Sequence, residues 1–139
     1  MGSARRTATN SGAGRWNAVA VPGTFTAWSS GKPVNVAITE WSAADTYEAV
    51  TSFSCSSGLY TSNKTTITWN SPSPGGIGSN TTALRMVATH EFGHAYGLNH
   101  MSTTCNGTKT VMVQGKTKWS CSWGTEPWQD DINGVDAIY

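Results

Sequence analysis

His90-Glu91-Phe92-Gly93-His94-Ala95-Tyr96-Gly97-Leu98-Asn99-His100 is the stretch that decides how this chain folds. On an α-helix four residues advance about 400°, so His90 and His94 lie within roughly 40° of each other, one turn apart and about 6 Å along the axis. Two imidazoles so placed can bind one metal ion. Glu91, one position on from His90, can reach a water on that ion while pointing away from the ligand pair, as a general base requires. A third ligand cannot come from the same helical face, because Gly97 tolerates the positive φ that ends a helix and turns the chain. The turn brings His100 back to the metal. Three neutral imidazoles and one position left for water suit a catalytic zinc rather than a closed structural one. All three histidines of the chain fall in this stretch. Five fixed residues, each at about 7% abundance, would coincide on the order of once in a million starting positions, so chance does not explain them.

The pattern resembles the extended zinc signature of the metzincin metallopeptidases. Thr110-Val111-Met112-Val113 lies where that family carries a methionine-containing turn, and Gln129-Asp130-Asp131-Ile132-Asn133-Gly134-Val135-Asp136-Ala137-Ile138-Tyr139 is similar to the closing helix of the matrixin branch. The resemblance implies one catalytic zinc held by His90, His94 and His100, with Glu91 as general base. It also implies Met112 as an apolar floor beneath the imidazoles, not itself a ligand. The C-terminal third matches closely, and the chain before the zinc helix only in coarse layout. No tyrosine occurs between Met112 and Tyr139, so the tyrosine that astacin-like and serralysin-like branches place just after the turn is missing. Matrixins often carry a second zinc, but every histidine is already committed, so a second histidine-bound zinc is excluded. The eight acidic residues form no evident cluster before the zinc helix; calcium is allowed but not indicated. The length is short for a matrixin and similar to minimal secreted bacterial peptidases such as snapalysin, which have aspartate where this chain has His100.

A chain of 139 residues implies a single domain. Met1-Gly2-Ser3 resembles an expression-vector remnant and lacks the apolar core of a signal peptide. A secretion signal and a propeptide, usual in the family, are expected upstream. Residues 4–139 are expected to form the catalytic domain, with the N-terminal helix and sheet in 4–75, the zinc helix and its turn in 76–100, and the methionine turn and last helix in 101–139. A net charge of +1 with 12% charged residues offers no basic patch or charge run, so neither nucleic acid nor an anionic membrane is an expected partner. No segment approaches 18 consecutive apolar residues, so no membrane span is expected either. Seven tryptophans among many Ser, Thr, Asn and Gly residues suggest a polar, secreted protein, expected to be a monomer.

Arg5 to Val19 reads as a helix with Ala8, Gly12, Trp16 and Val19 on one stripe, weakened by Gly12 and Gly14. After the Pro22-Gly23 turn, Thr24 to Trp28 alternates as a half-buried strand should. Further strands are expected from Val34 to Trp41, from Ala49 to Phe53 and from Thr65 to Trp69. In matrixin-like folds an antiparallel edge strand beside the active site pairs with extended substrate, and Ala49 to Phe53 is the segment in that place. Ser71 to Gly76 reads as a loop, and Asn80 or Thr81 can cap the zinc helix, which runs to about Tyr96 with Leu84, Val87, Ala88, Glu91 and Ala95 on its packed stripe. This order makes an α+β domain: a twisted mixed β-sheet packed on the zinc-bearing helix, with a C-terminal helix. Of the three cysteines, Cys105 and Cys121 flank the methionine turn in a Gly-, Lys- and Ser-rich region where a staple is most useful, so they are paired. Cys55 is left free, or its partner lies upstream.

The expected function is hydrolysis of peptide bonds in proteins by a zinc-dependent endopeptidase. The alternatives are a zinc amidase acting on cell-wall peptides and a catalytically silent zinc-dependent binding module. The second has no need of a base at Glu91.

Overall fold

Thr65 to Asn70 has the two-residue period and β-branched content of a strand with one face covered. In the structure, a computed structural model describing residues 1–31, 35–42, 46–53, 55–56, 59–60, 65–71, 73, 76–115 and 117–139, it is the central strand of the sheet. In chain order the elements are α1 (Ser3–Asn17), β1 (Val36–Trp41), β2 (Ala49–Ser52), β3 (Cys55–Ser56), β4 (Leu59–Tyr60), β5 (Thr65–Asn70), α2 (Thr81–Ala95), α3 (Thr117–Ser120) and α4 (Gln129–Asp136). The strand order is β1-β5-β2. β5 runs parallel to β1, with Val36 opposite Thr65, and antiparallel to β2, with Ala49 opposite Trp69. β3 and β4 form a separate antiparallel pair. The domain is therefore α+β with a small mixed sheet.

Thr65, Ile67 and Trp69 of β5 are buried on the helix-facing side, while Thr66 and Thr68 are half-buried on the other. The Trp69 indole N–H donates to Thr9 Oγ1 of α1 at 3.0 Å, so the polar edge of a fully buried ring is satisfied. Val34, Pro72, Pro74 and Gly75 of the expected strand start and loop lie outside the described residues. Thr24 to Trp28 is not a strand. The amide side chain of Asn17 takes both backbone groups of Phe25, accepting from its N–H at 2.8 Å and donating to its carbonyl at 2.7 Å. The Phe25 ring, 4.6 Å from that of Phe92 and 4.8 Å from that of Tyr96, anchors the segment to α2 instead of to a sheet.

α1 and α2 pack on each other and on the sheet. Gly12, a helix weakener by propensity, lies at a close approach between them: a Cβ there would lie 2.8 Å from both the carbonyl carbon and the Cβ of Ala88. Gly12→Ala, normally a gain in helix propensity, should here destabilise by about 1–3 kcal/mol through overpacking. A thermal melt should show Tm falling by several degrees; an unchanged or raised Tm would contradict this close approach.

α2 differs from the expected amphipathic helix. Eleven of its residues are buried, from Ala83 to Ala95, because α1, the sheet and the chain after the helix cover most of its surface. Asn80 caps it, accepting from the Ala83 N–H at 3.0 Å. The region from Cys105 to Cys121, joined by a disulfide, has more core than its composition suggests: Thr110, Val111, Met112, Val113 and Lys118 are all buried, and α3 lies within it. Among the described residues no helix is long and apolar enough to cross a membrane.

Candidate metal centre

The end of α2 sets the geometry. Gly97 has φ 97°, in the left-handed region that favours glycine. Its N–H donates to the His94 carbonyl at 2.9 Å, and the Leu98 N–H donates back to the Gly93 carbonyl at 3.1 Å, a double closure that stops the helix and reverses the chain. Reversal turns the Leu98 carbonyl onto His94 Nδ1 at 2.6 Å and returns His100 to the helix.

The three Nε2 atoms converge. His90 and His94 are 3.1 Å apart, His94 and His100 3.1 Å, and His90 and His100 3.2 Å. Among the described residues these histidines are the one group able to hold a metal ion. A carbonyl can only accept, so Nδ1–H of His94 donates to Leu98, and Nδ1–H of His90 donates to the Val111 carbonyl at 2.7 Å. Their Nε2 atoms are then bare lone pairs aimed at each other, with only His100 able to place a proton among the three. Such an arrangement is repulsive unless a cation sits between the nitrogens. Tetrahedral zinc with imidazoles at about 2.0–2.1 Å separates its nitrogens by about 3.3 Å, so the donor set fits zinc. Burial holds His90 well below the usual imidazole value, with Lys118 adding to the effect, and also lowers His94 and His100. Neutral imidazole is the form that binds metal.

Glu91 is buried, with Oε2 accepting from Thr51 Oγ1 of β2 at 2.6 Å. Burial pushes its carboxyl up to about 7, against the Thr51 hydrogen bond and the charge of Lys118. β2 pairs only with β5, so its other edge is unpaired among the described strands. Beside that edge lies a cleft of about 680 Å³, bounded by Tyr47, Val50, Phe53 and Trp119 and floored by the histidines and Glu91.

The chain after the third histidine buttresses this floor. Met112 packs against the bare face of Gly93, where a Cβ would overlap its Sδ. Three successive carbonyls are used: Val111 takes His90 Nδ1–H, Met112 takes the Met101 N–H at 3.0 Å, and Val113 takes an N–H of the Lys118 ammonium at 3.0 Å. Asp131 of α4 locks the turn from behind, accepting from Thr110 Oγ1, from the Val111 N–H and from the Trp128 N–H. The Gln129–Tyr139 stretch thus reaches the turn that holds His90 through a buried carboxylate. Thr51, Asp131 and Lys118 have no role in the sequence reading. The adjacent acids Asp130 and Asp131 at the start of the closing helix are a signal that could have found Asp131; nothing local distinguishes Thr51 or Lys118. The Cys55 side chain lies outside the described residues.

No curated protein and no solved structure matches this chain. The matrixin family model does, over residues 29–139, a span that holds the sheet, α2, the methionine turn and α4. With a zinc-compatible cluster of three histidines at its centre, the chain belongs to the matrixin family of zinc metallopeptidases.

Proposed function

We propose that residues 4–139 are the catalytic domain of a zinc-dependent endopeptidase that hydrolyses peptide bonds in proteins. One observation carries this reading: three imidazole nitrogens 3.1–3.2 Å apart and a buried carboxylate on the same helix floor a cleft beside a strand edge that is unpaired among the described strands. His90, His94 and His100 would hold the ion through Nε2. Zinc in that place supplies Lewis acidity toward a carbonyl oxygen and acidifies water.

Glu91 acts as general base. Thr51 fixes Oε2, leaving Oε1 to take a proton from the attacking water and deliver it to the departing amine. Desolvation raises the carboxyl above the ordinary carboxylate range, which makes Glu91 a stronger base toward that water. The β2 edge that no described strand pairs offers backbone groups to an extended peptide, and exposed Tyr47, Val50 and Phe53 supply apolar contact along it. The disulfide between Cys105 and Cys121 supports secretion into an oxidising compartment, where the protein acts as a monomer.

Casein digestion tests the reading. The zinc-loaded protein should cleave casein, stop with 1,10-phenanthroline and resume with added zinc. Intact casein alongside chelator-sensitive release of cell-wall peptides would identify an amidase instead, and no cleavage of either would leave a binding module.

A further inference from the structure

Apart from the histidines, the cleft presents two carboxylates and one ammonium among its described lining residues. The carboxylates are engaged: Glu48 accepts from Ser73 Oγ at 2.6 Å, and Glu91 accepts from Thr51 at 2.6 Å. The ammonium is only partly engaged. Lys118, 5% exposed, gives one hydrogen bond to the Val113 carbonyl, and among the described residues it makes no ion pair. Two of its three donors are left over, and the residue lines a wall made largely of Ala49, Val50, Phe53, Val87 and Trp119. A buried ammonium without a contacting carboxylate is costly. Its backbone is held in α3 and its head by Val113, so the charge is positioned in advance.

We infer that Lys118 is a specificity-determining residue: its ammonium takes a carboxylate of the peptide substrate close to the cut bond, either an acidic side chain or the terminal carboxylate of the chain. The inference rests on the peptidase reading and adds a substrate class to it. A charge-assisted hydrogen bond to a carboxylate in a sheltered wall discriminates against the neutral amide by about 10- to 100-fold.

The test uses the whole zinc-loaded protein and a positional library of quenched peptides. Each position flanking the cut carries Glu or Gln, and each peptide has a free or an amidated C-terminus. A preference of about 10-fold or more for Glu over Gln at one position, whatever the terminus, supports a side-chain carboxylate. A preference for the free terminus near the cut, whatever the side chain, supports the terminal one. Lys118→Met should collapse the favoured ratio toward one, chiefly through KM of the acidic peptide, and Lys118→Arg should restore most of it. A merely structural lysine would lower kcat on acidic and neutral peptides by the same factor, leaving the ratio in place. Cleavage of the library with both ratios within about threefold of one overturns the inference and leaves the peptidase standing; no cleavage of any member overturns both. Since the ratios are measured on the unmodified protein, misfolding of a variant does not block the decision.

Discussion

Glu91→Gln should retain zinc and fold while losing about 10²–10⁴ in kcat/KM on casein. Glutamine matches the volume of a side chain that is 4% exposed, so no cavity opens. Its amide oxygen can still accept from the Thr51 hydroxyl, the contact that ties α2 to β2. What disappears is basicity at the second oxygen. Lys118 loses the attraction of a nearby carboxylate but keeps its bond to Val113. Metal analysis and a thermal melt should therefore match the parent, with turnover alone reduced. A variant that cleaves casein at the parental rate would place the general base elsewhere.

His100→Ala should strip most of the metal from the site. His90 and His94 are each oriented by a carbonyl and spaced by the helix, but two donors do not close a tetrahedral zinc site. His100 is exposed, so truncation removes a donor without hollowing the core. After dialysis, zinc should drop from about one per chain to a small fraction. Circular dichroism should still report the parental helix content. Unchanged zinc in this variant would refute the third-donor assignment.

The zinc helix was legible because its signals are local: imidazoles one turn apart, a capping asparagine ahead and a glycine with the required positive φ behind. The strands of the mixed sheet were legible for the same reason, since period two is written in consecutive residues. Thr24 to Trp28 carries that period too, yet Asn17 takes both backbone groups of Phe25, a choice made by chain geometry and not by the segment. Gly12 reads as a weak point in its helix, and only the arrival of Ala88 shows why a side chain there would not fit. Lys118 illustrates the limit most clearly. A lysine among Gly, Ser and Lys reads as solvated, and its burial follows from the fold of the disulfide-closed segment around it. Asp131 was visible as part of a familiar helix; its three hydrogen bonds to the methionine turn and to the N-terminus of α4 were not.

The central claim is that one ion on three histidines makes this chain a peptidase, and a zinc titration of metal-free protein followed by peptide cleavage tests it most directly. Metal-free protein should show no cleavage, and added zinc should give a linear rise with a break at one ion per chain. Full cleavage by the metal-free protein, or none at any zinc concentration, would contradict it.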